Sequence, residues 1–346
     1  MTKIQNLVSK SSWALSAAAL MMTVGSAFAD EENNPFLGRW ALTIPGGGAG
    51  WLGVTQENGY YDASILWGSG SVVPVASVFF NDNKDTLFVT RVNEVKRKDA
   101  SGKVARTQQF TEAITAKVSG DDLALTRIVA RENGEGIIRE EFTGKRIPAV
   151  PAAPDLSKVK FGAPINLFNG KNLDGWKLTN PKATSGWSAQ DGLLINRPVQ
   201  EEGKPHKSFG NLRTEQEFED FNITLEARLR AGENSGVYLR GIYEVQVADT
   251  YGKKLDPHNM GGVYSRVTPS EAAEKPAGEW QTLDITLVDR HATVILNGKR
   301  IIDNAPLLGC TGGALWSDEM RPGPIYLQGD HTGVDYRNIV LKPVVK

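Results

Sequence analysis

Cysteine is all but missing: Cys310 is the only one in the chain. One thiol cannot close an internal disulfide, so the fold has to stand on its core even in an oxidising compartment. A nucleophilic thiol would need a nearby base, and Cys310, between Gly309 and Thr311 in apolar surroundings, reads as packing. An excess of positive charge is missing too. Lys and Arg number 39 against 40 Asp and Glu, a formal net charge of −1, with no basic run. Nucleic acid and anionic membrane surfaces need concentrated positive charge, so neither is an expected partner. Long apolar runs are lacking as well. The stretch from Trp13 to Val24 is shorter than the roughly 20 residues of a membrane span. Helical periodicity is hard to find anywhere after it.

The start of the chain has the form of an export signal. Lys3 and Lys10 give a positive n-region, and Ala27-Phe28-Ala29 is a small-x-small cleavage site before Asp30. A bacterial signal peptide over residues 1–29 is therefore expected, cleaved after Ala29, with the mature chain periplasmic or secreted and no integral membrane segment. No cysteine at the cleavage site offers a lipid anchor. The remaining 317 residues (346 less 29) suit two domains.

Short runs rich in Val, Ile, Thr and aromatics, punctuated by Gly, Asn and Asp, predict an all-β protein. Ile147-Pro-Ala-Val-Pro-Ala-Ala-Pro154 reads as a semi-rigid spacer, so the expected division is a small antiparallel β domain over 30–146, a Pro/Ala-rich linker over 147–160, and a second β domain over 161–346. In the first, seven or eight strands are expected, from the candidates 39–43, 51–56, 60–67, 76–80, 86–92, 107–118, 122–131 and 139–145. Similar lengths and short turns favour an up-and-down barrel or a sandwich. Phe36-Leu-Gly-Arg-Trp40 resembles the opening of lipocalin-like barrels. Gly46-Gly-Gly-Ala-Gly50 lacks the Gly-Lys-Ser/Thr ending of a phosphate loop and reads as a hairpin turn. In the second, Phe221–Leu229 and Thr282–Val288 alternate as half-buried strands, and Asn297-Gly298 marks a hairpin.

The segment Asn234–Asp249 carries most of the chemistry. Val237, Leu239, Tyr243, Val245 and Val247 take odd positions; Tyr238, Arg240, Glu244 and Gln246 take even ones. Read as one strand, this puts an apolar face into a core and a polar, ionisable row on the other side. Such a row fits the floor of a binding cleft or a solvated outer face with an Arg–Glu pair. Asp249 reads as a turn cap or a further carboxylate. Gln328-Gly-Asp-His-Thr332 joins Asp330 to His331 at a strand end, a pair that reads as acid, base or metal ligand, or as a turn with a hydrogen-bonded His. His258, on a rim loop with Asp256, reads as a second ligand for a divalent metal or as a solvated loop histidine. His206 and His291 have no evident partner.

Beyond the linker the chain resembles the 3-keto-disaccharide hydrolase family (DUF1080). The entry motif is Leu167-Phe-Asn-Gly-Lys-Asn-Leu-Asp-Gly-Trp176. Trp187 with Asp191-Gly192, Asn211-Leu-Arg-Thr214, Asn234-Ser-Gly236, Tyr243-Glu-Val-Gln-Val-Ala-Asp249, Gly278-Glu-Trp-Gln281, Ile325-Tyr-Leu-Gln328 and Tyr336-Arg-Asn-Ile339 follow in order across residues 161–346. The resemblance implies a concanavalin A-like jelly roll, two antiparallel sheets with a sugar on the concave face. It also implies cleavage of glycosides oxidised at C3 of a glucose unit.

A C3 ketone acidifies the C2 hydrogen. A base can then remove it, the aglycone leaves C1 by β-elimination, and water adds back. That chemistry needs a base, an acid for the leaving group and a stabiliser for the enolate. The resemblance makes Glu244 the base, with Arg240 and His331 as further catalytic candidates. Tyr238, Gln246, Trp187, Glu279 and Gln328 are candidates to bind the small saccharide, and Asp330, His331 and His258 to hold a metal. The competing readings are a lectin-like carbohydrate-binding module of the cell envelope, and an envelope structural protein whose N-terminal β domain is the platform.

Overall fold

The computed structural model describes residues 34–201 and 207–345; the expected leader and His206 lie outside the described residues. Among these residues no helix is long and apolar enough to cross a membrane. The one helical element is a 3₁₀ turn, Leu156–Lys158, capped by the Asp155 side chain.

Nine antiparallel strands make up the N-terminal part. They are β1 (Gly38–Thr43), β2 (Ala49–Glu57), β3 (Tyr60–Trp67), β4 (Val73–Pro74) and β5 (Ser77–Phe80). The others are β6 (Leu87–Lys98), β7 (Val104–Ser119), β8 (Asp122–Ala130) and β9 (Ile137–Ile147). Their order is β4-β3-β2-β1-β9-β8-β7-β6-β5, so the first strand pairs with the last. Val75 N donates to Ala63 O on one edge and Ala76 N to Thr90 O on the other, which closes the meander into a barrel. All eight candidate strands are there. The two-residue β4 lies outside them, and β6 and β7 run on together as a long hairpin arm. Inward residues Phe36, Trp40, Leu42, Leu52, Ile65, Leu87 and Ile114 fill the interior. Arg146 stacks on Trp40 at 4.1 Å, and the Trp40 indole donates to Phe36 O. Farther along the same inner face, Glu112 accepts from Arg91, Asn93 and Arg127. Charge and rings, not empty space, occupy the barrel.

The C-terminal part is a two-sheet sandwich. It begins with β10 (Ile165–Asn166), β11 (Trp176–Leu178), β12 (Trp187–Gln190), β13 (Leu193–Asn196), β14 (Leu212–Thr214) and β15 (Phe221–Arg228). There follow β16 (Asn234–Leu239), β17 (Tyr243–Ala248), β18 (Gln281–Val288) and β19 (His291–Leu296). The last are β20 (Lys299–Pro306), β21 (Tyr326–Leu327) and β22 (Val334–Pro343). One sheet runs β12-β13-β22-β15-β18-β19-β20, with β10 also on β22; the other runs β11-β14-β21-β16-β17. Phe221, Ile223 and Leu225 of the first interleave with Val237, Val245, Val247 and Leu327 of the second in one core. This is a jelly-roll sandwich, as expected, and all pairings in both sheets are antiparallel.

Trp51, Leu66 and Ile147 of the barrel belong to that same core cluster. The proline-rich segment is pinned rather than free. Arg290 donates to Pro148 O and Ala149 O, Arg39 to Pro148 O, and Asn304 to Pro154 O.

Candidate active site on the five-stranded sheet

The polar row is built by a hairpin, not by one strand. Arg240 and Gly241 take positive φ (54° and 68°), which folds Leu239 back onto Tyr243. Alternation survives the turn, because residues paired across an antiparallel ladder share a face. Tyr238 thereby stands directly opposite Glu244, and Gly236 opposite Gln246. On the other side Tyr238 pairs with Tyr326, and Arg213 pairs with Tyr326 in turn. One sheet face thus carries Arg213, Tyr326, Tyr238 and Glu244 in a row, with Gln328 and Gln246 in the next.

Glu244 is the centre of this face. It is 3% exposed. Its backbone N–H donates to Thr311 Oγ1, and the Tyr238 hydroxyl lies 2.9 Å from Oε2. The carboxyl lies flat across Gly236, where any Cβ would fall inside the van der Waals shell of Oε1. Tyr238 also lies 2.6 Å from Gly312 O. A hydroxyl has one proton and a carbonyl only accepts. With Glu244 protonated, the chain Glu244 O–H to Tyr238 O–H to Gly312 O satisfies every member. With Glu244 ionised, Tyr238 turns its proton to the carboxylate. Burial favours the first arrangement and pushes the Glu244 carboxyl up to about 8, against the opposing pull of Tyr238 and of His331.

His331 and Asp330 face Glu244 from the loop before β22. Their Nδ1···Oδ1 distance is 2.6 Å. That hydrogen bond, with the Asp330 charge, raises the imidazole above its usual range despite partial burial. Partial burial pushes Asp330 upward, but His331 outweighs it and holds the carboxyl below its ordinary value. Asn211 fixes this loop. Its Oδ1 accepts from Gly329 N and Asp330 N, and its Nδ2 donates to Tyr326 Oη. Tyr326 stacks on Tyr238 at 4.1 Å. Asn211 and Tyr326 are thus site residues that sequence reasoning did not single out. The usable signal was the Asn211-Leu-Arg-Thr214 motif, whose alternation puts Asn211 and Arg213 on one face.

Beside Gln246 a cavity of about 320 Å³ opens, lined also by Asn234, Asp249, Asp256, His258 and Asn259. Gln246 Oε1 accepts from Val247 N, and its Nε2 has no partner among the described residues. Gln328 borders the same face with its Oε1 unpartnered.

Several expected residues are placed elsewhere. Arg240 sits in the hairpin turn and donates to Glu319 O and Arg321 O, so it neither touches Glu244 nor joins the row. A turn with positive φ interrupts the strand on which its orientation was counted. Trp187 is core: its indole donates to Gly210 O, it stacks on Tyr336, and it is 6% exposed. Tyr238 is buried beneath the surface and holds Glu244 instead of offering a face to sugar. Glu279 lies in an exposed turn before β18, on the other sheet. Asp249 is a cap, accepting from Gly232 N. His291 is buried, its Nδ1 3.0 Å from Asp289 O. Cys310 packs in the core, its thiol pushed up to about 12 by burial.

The metal set does not assemble. Among the described residues no three His, Cys, Asp or Glu side chains gather where they could hold an ion. Asp330 engages His331, while His258 engages Asp256 at 3.3 Å and Ser71 at 2.9 Å. These residues do not fit a divalent metal.

No curated protein sequence matches the chain significantly. Two solved structures are inferred glycosyl hydrolases of Parabacteroides distasonis ATCC 8503. One is 20% identical, covering 53% of this chain and 95% of its own, with a TM-score of 0.42. The other is 26% identical, covering 52% and 98%, with a TM-score of 0.39. A carbohydrate binding module, CBM66 of Bacillus subtilis, is 13% identical over 51% of this chain and 98% of its own, at a TM-score of 0.28. The sequence model of the 3-keto-alpha-glucoside-1,2-lyase-like domain matches residues 163–342. That match spans 180 of 346 residues (342 less 162), the whole sandwich that carries the Glu244 face, and the chain belongs to this family.

Proposed function

We propose that this protein is an exported enzyme that cleaves 3-keto-glycosides, such as a 3-keto-disaccharide, with Glu244 as base and His331 as acid. The observation that carries the reading is a buried carboxyl on a polar sheet face, hydrogen-bonded to a phenol and facing an Asp–His pair. A lectin needs amides and rings, not a titratable pair of this kind.

Glu244 removes the proton from C2, and the electron pair moves toward the C3 oxygen. The enolate then expels the C1 oxygen, which takes a proton from His331, and a C1–C2 double bond forms. Water adds at C1 and a proton returns to C2, so hydrolysis is the net result. A ketone's α-hydrogen is weakly acidic, and a carboxylate of raised pKa is a better match for it than an ordinary one. Tyr238 supports the ionised state between turnovers. The Gln246 amide nitrogen is the donor available to the C3 oxygen. His331, half-exposed at the rim, suits a leaving group that departs toward solvent.

The test is product analysis by NMR in D₂O, with 3-keto-trehalose and plain trehalose. Cleavage of the keto sugar alone, with deuterium at C2, is expected; cleavage of plain trehalose would sink the elimination route. E244Q should lose about 10²–10⁴ in kcat together with C2 exchange. Removing His331 should be offset by a good leaving group, whereas removing Glu244 should not.

A further inference from the structure

The barrel reaches the candidate site through one loop. Residues 68–72, between β3 and β4, touch the sandwich at four points. Gly313 N donates to Gly68 O, and Gly70 packs so closely on Gly312 that no Cβ fits there. Val72 N donates to Ser265 Oγ, and Ser71 Oγ meets His258 Nε2 at 2.9 Å. Gly312 is the residue whose carbonyl holds Tyr238, and His258 lines the cavity beside Gln246. The loop therefore backs both the Tyr238–Glu244 pair and the adjoining pocket.

That pocket, about 320 Å³, lies at the small end of the roughly 300–1,000 Å³ usual for small-molecule sites. It has room for one sugar unit beside the reacting one. Its polar lining, with the carboxylates of Asp249 and Asp256 and the amide of Gln246, suits a ligand rich in hydroxyls. Asp256 holds His258 through its backbone N–H (2.7 Å) and its Nδ1 (3.3 Å), and Ser71 holds the other ring nitrogen. Tyr264 packs edge-on against the ring.

We propose that this cavity binds the leaving half of the glycoside, that the His258 ring forms part of its wall, and that Ser71 of the barrel is a positioning residue for that ring. The barrel then determines substrate choice, a task that the sandwich alone does not complete. This rests on the keto-glycoside reading for its reacting half.

The experiment uses the full chain, its S71A, S71T and H258Q variants, and two substrates. In 3-keto-trehalose the leaving half is a sugar; in methyl 3-keto-glucoside it is methanol. S71A and H258Q should raise KM for the disaccharide about tenfold, because the wall loses its ring or the ring its fixed position. The methyl glycoside should change less than about twofold, and S71T should restore the disaccharide KM. Equal changes on both substrates, or none, would overturn the proposal. If the wild-type protein turns over neither substrate, the keto-glycoside reading has failed instead. The pocket is then judged by His258 ring resonances titrated with plain trehalose: shifts in wild type that are lost in S71A support it, and their absence overturns it.

Discussion

At the scale of single residues, Glu244 sets an unusual sign. Its folded carboxyl sits near 8, above the unfolded value, so the folded state binds the extra proton. Its favourable contribution is complete below the unfolded pKa and is lost as pH rises through about 8. E244Q, which does not titrate, should therefore gain thermal stability relative to wild type steadily between pH 5 and 9. A constant difference across that range, in melting temperatures read by circular dichroism, would refute the buried protonated acid. Gly236 makes a second prediction. Its φ lies outside the left-handed region, so alanine suits the backbone, yet the new methyl would displace the Glu244 carboxyl. G236A should fold and still lose most of kcat, and unchanged kinetics would mean the carboxyl can work from another position. That Glu244 shares a face with Gln246, and that Asp330 adjoins His331, was legible from alternation and motif. Asn211 and Tyr326 were not, because their roles come from a cross-strand neighbour and a loop more than a hundred residues away.

At the scale of elements, the hairpin β16–β17 explains both what the sequence reveals and what it conceals. Period-two patterning identified two faces correctly, since an antiparallel return keeps them. It could not distinguish one long strand from two with a tight turn, and Arg240 was misplaced for that reason. Arg240 instead clamps the loop 317–321 through two backbone carbonyls. R240A should cost about 1–3 kcal/mol in chemical denaturation, from buried carbonyls left unpaired. At a temperature where the variant is folded, kcat should be nearly unchanged; a large drop there would return Arg240 to the chemistry. The Asn297-Gly298 turn was readable because both residues take positive φ, 50° and 85°, as such hairpins require. The outer ends of β6 and β7 were hidden, since Asn93 to Lys98 and Val104 to Arg106 are mostly polar or exposed on both faces and supply little periodic signal.

For the molecule as a whole, composition located the proline-rich segment but not its attachment. Trp51 is the clearest joint. It belongs to the sandwich core, Arg266 stacks on it at 4.2 Å, and Gly309 lies against its edge. W51A should cost about 3–5 kcal/mol. It should also separate unfolding into two steps, monitored by near-UV dichroism and by activity. A single unshifted transition would show that the two β bodies do not depend on each other there.

The clamped connection at residues 147–158 has one more effect. With Pro148, Ala149 and Pro154 each tied by a side chain, the tether has little slack, and the barrel is held against the sandwich. On the keto-glycoside reading, sugar enters over a rim held in place and fits a mouth that is already shaped. Selection then falls on dimensions that exist before encounter, and a longer saccharide chain can be accepted only where its remainder projects outward into water.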